Sequence, residues 1–586
     1  MPGPSQIRGD QLSKALACGK LYESDLDRRV REVLKLIKRV EPLGLEENAP
    51  EKTVNTPETS AFLRSLAADG IVLMKNDSIL PFDKGKTTAV IGPNAAYAAY
   101  CGGGSASLLP YYAVSVLDGV CKAVPRAEYA IGAPGWRSLP VMSRLTKDEN
   151  GEPGLTMRVY DGPTSVANRE LLDELHVGDS NIFLMDYKNP HIKSTLYYVD
   201  LHGTFTPEDT VLYDFGLEVA GTGKIFIDGR CVVNNEDKQR PGGFLFGGGT
   251  VEEIGSMELQ KGKTYDIKVT FGTMPTMTFS KAGAISFGAG GLRVGLERRI
   301  DRKIEIERAV QLAQKVDQVI LCIGLNGEWE SEGFDRPNMD LPPGTDELVR
   351  AVLQANRHTA IVVQSGTPVA MPWVDNAPAT LQAWYGGNEC GNAIADVVFG
   401  DVNPSGKLPL SFPIRDEDNP AFLNFRSERN RVLYGEDVYI GYRGYEKTKK
   451  AVAFPFGHGL SYTSFDMKNL EIQDDGTTLN VSTTVTNKGK RDGAQVVQVY
   501  VAQHNPSINR PVKELKGFRK VFLQAGQSAP VTINIAKKYA VSFWDEAEDA
   551  WIMEQGEYDV LVGDSSAFTP LQASFVVKET SWWKGL

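Results

Sequence analysis

Cysteine and histidine are both scarce in this 586-residue sequence, at six residues each. Cys18, Cys101, Cys121, Cys231, Cys322 and Cys390 are scattered without a C-x-x-C spacing, which argues against a zinc ribbon or a dense disulfide framework. His176, His191, His202, His358, His458 and His504 form no H-x-x-x-H pair, so no metal site is expected. No G-x-x-x-x-G-K-[ST] occurs, leaving a P-loop without support, and no G-x-S-x-G nucleophile elbow occurs either. No cofactor is expected. The longest uncharged stretch, Thr87 to Leu117, contains Pro93, Gly102, Gly103, Gly104 and Pro110, which rules it out as an uninterrupted membrane helix. Met1-Pro2-Gly3-Pro4 leads into polar residues and carries no apolar signal core. Positive charge is also in deficit, with a net charge of −11, which disfavours a nonspecific nucleic-acid binder or a protein of anionic membrane surfaces.

What is present is ordinary globular composition, 42% hydrophobic and 23% charged, over a length that suggests about four domains at ~150 residues each. Ser24 reads as the N-cap of an amphipathic helix in which Leu26, Val30, Val33, Leu34, Ile37 and Val40 share a face, stopped by Pro42 and Gly44. One such helix cannot bury its own stripe. From Thr56 the pattern becomes helix–strand. A helix closing at Gly70 is followed by the apolar runs Ile71–Met74 and Ala89–Ile91. The same alternation returns with helix Ile304–Val316, strand Val319–Ile323, helix Asp346–Ala355 and strand Ala360–Val363. A strand near Leu381–Trp384 and a helix around Asn392–Phe399 follow. This implies a mostly parallel sheet.

Between these halves, strands alternate with turns. Lys224–Ile227 is followed by Asp228-Gly229, a hairpin turn signal, and Lys263–Val269 alternates again. An all-β module inserted in a loop of the α/β domain fits this pattern. A second all-β unit follows from about Tyr462, with strands at Leu479–Val481, Val496–Val501 and Val531–Ile535. The predicted fold class is multidomain α/β plus all-β: a mostly parallel α/β sandwich interrupted by an inserted β-sandwich and followed by a C-terminal β-sandwich.

The most chemically loaded segment is Gly324 to Arg336, directly after the strand ending at Ile323. Ligands bind beyond the carboxyl ends of strands in parallel α/β sheets. Glu328, Glu330, Glu332 and Asp335 crowd there with Trp329, Phe334 and Arg336. Crowded carboxyls raise one another's proton affinity and suit a general acid, and aromatic faces stack on sugar CH groups. The segment reads equally as a solvated acidic loop whose Trp caps the sheet. Gly102-Gly103-Gly104-Ser105 follows a strand but lacks the G-x-G-x-x-G spacing of a dinucleotide site, and reads as a tight, flexible loop.

Several segments carry a family resemblance. Ala89–Ala95, the Gly102–Ser105 loop, Gln364–Val369, Ala393–Asp401, Asn403–Pro409, Phe454–Tyr462 and Leu515–Phe518 together resemble glycoside hydrolase family 3. The match looks closest to fungal β-glucosidases with a protective-antigen-type insert, whose core hairpin Phe226–Gly229 with Val232-Val233 resembles. The resemblance implies a remnant of the end of a TIM barrel at 1–50, the α/β sandwich at 51–151 and 296–460, the insert at 152–295, and a fibronectin type III-like domain at 461–586.

It also implies a retaining, exo-acting hydrolase that removes terminal β-D-glucosyl residues from β-glucosides or gluco-oligosaccharides. In members with an E-G-[YF]-D-R motif the glutamate is the acid/base, which points to Glu332, with Glu330 and Glu328 as fallbacks and Asp335 and Arg336 holding the loop. The substrate-binding residues are left unassigned. In relatives M-P-G-P follows the nucleophile's S-D-[WF] motif, whereas here it opens the chain. The expectation is therefore that the nucleophile's barrel is absent and the chain inactive alone, either as a gene model begun at an internal methionine or as the partner of a separately made barrel. The alternative is a noncatalytic carbohydrate-binding protein using the insert. Many relatives are secreted, and a cytoplasmic location is also compatible with the sequence.

Overall fold

The computed structural model describes residues 9–46, 48–50, 52–184, 187–244, 248–273, 290–333 and 335–585. The opening Met1-Pro2-Gly3-Pro4 and Phe334 lie outside them. The chain divides into two compact units, 1–59 and 60–586. In the first, helices Asp10–Ala17 and Glu23–Val40 are followed by a 3-10 turn, Glu41–Leu43, that ends at Gly44 in the left-handed region. The long helix starts one residue before the expected cap: Tyr22, not Ser24, is its N-cap, and no side-chain hydrogen bond closes it. Acidic Glu23 and Asp25 in its first turn favour this start through the helix dipole. Val30, Val33, Leu34, Ile37 and Val40 are exposed.

The second unit is organised around a six-stranded sheet. Its order is Val72–Asn76, Ala379–Gln382, Thr359–Gln364, Gln318–Gly324, Thr88–Ile91 and Glu128–Ala130. All pairings are parallel except that of the edge strand Val72–Asn76, which runs antiparallel to its neighbour. The continuous apolar runs have the cause expected of them. Val319, Leu321 and Ile323 face one core with helices Arg302–Lys315 and Thr345–Ala355, while Ile320 and Cys322 face a second core with Val116–Ala123 and Cys390–Phe399. A strand buried on both faces has no polar side to alternate with.

Local chemistry shifts some boundaries. Helix Arg302–Lys315 begins earlier than its apolar pattern suggests, because the Asp301 carboxylate accepts from the amides of Lys303 (2.9 Å) and Ile304 (3.3 Å). The strand expected at Leu381–Trp384 is Ala379–Gln382 instead. Trp384 has φ 53°, which turns the chain out of the sheet.

The described residues between Leu155 and Arg298 build two facing antiparallel sheets over one shared core. One has the order Arg230–Asn235, Thr222–Ile227, Tyr265–Gly272, Tyr198–Phe205, Leu155–Tyr160, Leu171–Val177. The other runs Glu253–Leu259, Val211–Ala220, Gly291–Arg298, Asn181–Phe183. The Asp228-Gly229 turn closes its hairpin with positive φ at both positions and pairs Ile227 directly with Arg230. A C-terminal β-sandwich packs Phe465–Asp474, Thr478–Asn487 and Ser528–Ala536 against Glu514–Leu523, Gly493–Gln503, Gly556–Gly563 and Leu571–Val577. Among the described residues, no helix is long and apolar enough to cross a membrane.

Candidate active site

The acidic segment leaves the sheet at the carboxyl end of strand Gln318–Gly324, where parallel α/β folds expose their ligand sites. Its three glutamates, indistinguishable by type, have different surroundings. Glu328 is anchored: its carboxylate accepts from Arg293 Nη2 (2.5 Å) and from the amides of Arg137 (2.8 Å) and Ser138 (3.4 Å). Glu330 is anchored too, by the Gly366 amide (2.6 Å), the Tyr385 hydroxyl (2.5 Å) and the Thr367 hydroxyl. Burial, and then the Glu330 charge, push the Tyr385 phenol far up in pKa, so it stays a donor.

Glu332 is exposed, and its carboxylate accepts from the Ser105 hydroxyl. Its main chain is nevertheless fixed. The Glu332 amide donates to Gly103 O (3.2 Å), the Gly103 amide donates to Glu330 O (2.9 Å), and Gly103 bridges Ser331 as a strand would. Two positions of the facing loop leave no room for a side chain. A Cβ at Gly103 would lie 2.1 Å from Gly327 O, and one at Gly104, where φ is +77°, 2.5 Å from Glu332 Cβ. The Gly102–Ser105 run is thus a cradle for the acidic loop, a role that its sequence spacing did not disclose.

Arg336 ties the loop to the segment at Thr367 and Pro368, the kind of role that the resemblance implied. Its Nη2 donates to Thr367 Oγ1 (2.7 Å) and Pro368 O (3.0 Å), and its Nε lies 4.0 Å from Glu330. Trp329 packs against the sheet's core, donates from its indole to Gly135 O (2.6 Å) and has the Arg137 guanidinium 5.7 Å from its ring centre. The sheet-capping role fits this ring better than a sugar platform. Asp335 is exposed.

A raised proton affinity is found beside the loop, on the β-sandwich. Glu252 and Glu218, both from the β-sandwich, sit 3.8 and 3.6 Å from Arg293 Nη1, next to Glu328. Burial above all, with the neighbouring carboxylates adding and Arg293 opposing, pushes Glu252 up to about 7, and burial raises Glu218 as well. Neither residue carried a sequence signal: Glu218 lies in a strand whose alternation does not single it out, and Glu252 lies just before one. Among the described residues, no group of His, Cys, Asp and Glu could hold a metal ion.

A model of the glycosyl hydrolase family 3 C-terminal domain matches residues 71–462, and a fibronectin type III-like domain model matches residues 495–566. The chain belongs to glycosyl hydrolase family 3, a family of enzymes. A probable β-glucosidase I of Emericella nidulans is 53% identical over the whole of this chain and 71% of its own length. The crystal structure of a β-glucosidase from Kluyveromyces marxianus in complex with glucose matches the whole chain and 71% of its own, with a TM-score of 0.92 and 43% identity. DesR, a β-glucosidase from Streptomyces venezuelae solved in complex with D-glucose, matches 98% of the chain and 67% of its own, with a TM-score of 0.68 and 27% identity.

Proposed function

We propose that this chain carries the proton-donating half of a retaining β-glucosidase centre, with Glu332 as general acid and base. One observation supports the choice. Of the three loop glutamates, Glu328 and Glu330 are held by amides, a guanidinium and hydroxyls, whereas Glu332 is exposed and meets the Ser105 hydroxyl. Amide and guanidinium donors occupy a carboxylate's oxygens and fix its direction. A general acid must instead give up a proton to the leaving oxygen and take one back from water, at the point where substrate arrives.

The relatives are named β-glucosidases along the full length of this chain, which supports β-glucosides as the substrate class and favours catalysis over sugar binding alone. Retention needs a second carboxyl ~5 Å from the first, to attack the sugar. In this proposal that carboxylate is supplied from outside these 586 residues. The domain spans 1–50, 51–151, 152–295, 296–460 and 461–586 belong to the same proposal.

The test uses 4-nitrophenyl β-D-glucopyranoside. The purified chain is expected to release no nitrophenol alone, and to release it when mixed with the part of the Emericella relative that it does not cover. Glu332→Ala should then lower kcat/KM on a poor leaving group such as methyl β-glucoside by orders of magnitude. It should leave kcat/KM on 2,4-dinitrophenyl β-glucoside nearly intact, because that leaving group needs no proton. Full turnover by the chain alone, or an unimpaired Glu332→Ala mixture, refutes the proposal.

A further inference from the structure

The acidic loop is tied to the β-sandwich through one buried cation. Arg293 lies on strand Gly291–Arg298 with 9% of its side chain exposed, and its guanidinium reaches Glu328 at 2.5 Å, Glu218 at 3.6 Å and Glu252 at 3.8 Å. The carboxylates on either side of it also grip the same passing segment. Glu328 accepts from the amides of Arg137 and Ser138, and Glu252 accepts from the amide of Leu139 at 3.0 and 3.1 Å. Sandwich, connecting segment and acidic loop therefore meet at one guanidinium.

The electrostatics give this junction its force. Three carboxyl groups surround one cation in a poorly solvated place, where charges act far more strongly on one another than in water. With the cation in place Glu328 is drawn inward. Without it Glu328 loses its guanidinium partner among carboxyls that burial already drives toward the neutral form, and nothing draws the loop onto the sandwich. Glu328 is linked to the rest of the loop by a tight turn, in which the amides of Trp329 and Glu330 both donate to Asn326 O at 3.0 Å. Movement of Glu328 is thereby passed on toward Glu332.

We propose that Arg293 is a positioning residue for Glu332, so that the β-sandwich serves as a strut for the proton donor. This rests on the reading of Glu332 as that donor. The geometry needs no contact between Arg293 and substrate. Its effect runs entirely through Glu328.

Hydrogen exchange followed by mass spectrometry on the purified 586-residue chain tests the strut. In Arg293→Met the peptide spanning Asn326–Arg336 is expected to exchange at least tenfold faster, while strands Tyr198–Phe205 and Tyr265–Gly272 of the same sandwich stay unchanged. Arg293→Lys should restore part of the protection. Should Arg293→Met not fold, Glu328→Gln carries the test, since it leaves Arg293 with its two other carboxylates. Unchanged loop exchange in folded Arg293→Lys and Glu328→Gln overturns the proposal.

A second readout separates positioning from bulk stability. In the mixture with the complementary domain, Arg293→Lys is expected to lower kcat/KM about tenfold on methyl β-glucoside and less than twofold on 2,4-dinitrophenyl β-glucoside. Equal losses on both substrates also overturn it. Exchange needs no turnover, so failure of the strut leaves the Glu332 reading standing. Conversely, an unimpaired Glu332→Ala removes that reading while the strut can still be measured.

Discussion

Glu252 makes the junction around Arg293 measurable by pH. Its carboxyl is pushed from the ordinary 4.5 to about 7, chiefly by burial. The groups that face it are Arg293, Glu218 and Glu328, together with the Leu139 amide. Because the folded value lies above the unfolded one, the folded state binds this proton more tightly. The resulting stabilisation is complete below about pH 4.5 and disappears as pH climbs through 7. At about 1.4 kcal/mol for each tenfold change in proton affinity, it is worth roughly 3 kcal/mol. Its side chain is only 10% exposed, so solvent screening takes little from that figure.

Glu252→Gln keeps the shape, leaves an acceptor for Leu139 and cannot ionise. Wild type and variant should therefore differ in unfolding free energy by an amount that moves about 3 kcal/mol in the variant's favour between pH 4.5 and 8.5. At a urea slope of about 2 kcal/mol/M, that is a relative midpoint shift of about 1.5 M. Urea melts read by pulse-labelled exchange in strands Val211–Ala220 and Gly291–Arg298 would report it. A difference constant to within about 0.5 kcal/mol across that range would refute the burial argument.

Two further substitutions probe the loop itself. Gly104→Ala places a methyl 2.5 Å from Glu332 Cβ at a residue with φ +77°, so it should displace Glu332 and lower kcat/KM on methyl β-glucoside at least tenfold, with circular dichroism unchanged. Tyr385→Phe removes a 2.5 Å donor from the anchored Glu330 and should destabilise the loop by about 1–3 kcal/mol, visible as faster exchange of Asn326–Arg336.

The scaffold was legible because its signals are local. A run such as Val319–Ile323, flanked by helical periodicities, announces a strand covered on both faces, and Asp228-Gly229 announces its hairpin. The position of the acidic loop was legible for the same reason, since it follows the run at once. Which glutamate is left without an amide or guanidinium donor was not. The donors that fix Glu328 and Glu330 come from Arg137, Arg293, Gly366, Thr367 and Tyr385, and several are backbone amides, which every residue but proline possesses. The motif singled out Glu332 by resemblance, whereas the structure distinguishes it by what its neighbours lack.

That distinction has a consequence for how the loop is ordered. Fixing each backbone residue costs about 1–2 kcal/mol, and a hydrogen bond to a charged group returns about 1.5–3. A single tie could not hold a loop of this length. The loop is instead held from the sandwich side at Glu328, from the sheet side at Glu330 and by the glycine cradle at Ser331 and Glu332. Two glutamates are committed to anchoring so that the third need not be. A carboxyl that anchors is unavailable to substrate, and one that meets substrate contributes little to the fold. Glu→Gln changes along this loop should therefore separate cleanly: at Glu328 and Glu330 they loosen the loop, and at Glu332, in the role proposed for it, they leave its exchange untouched while removing proton transfer.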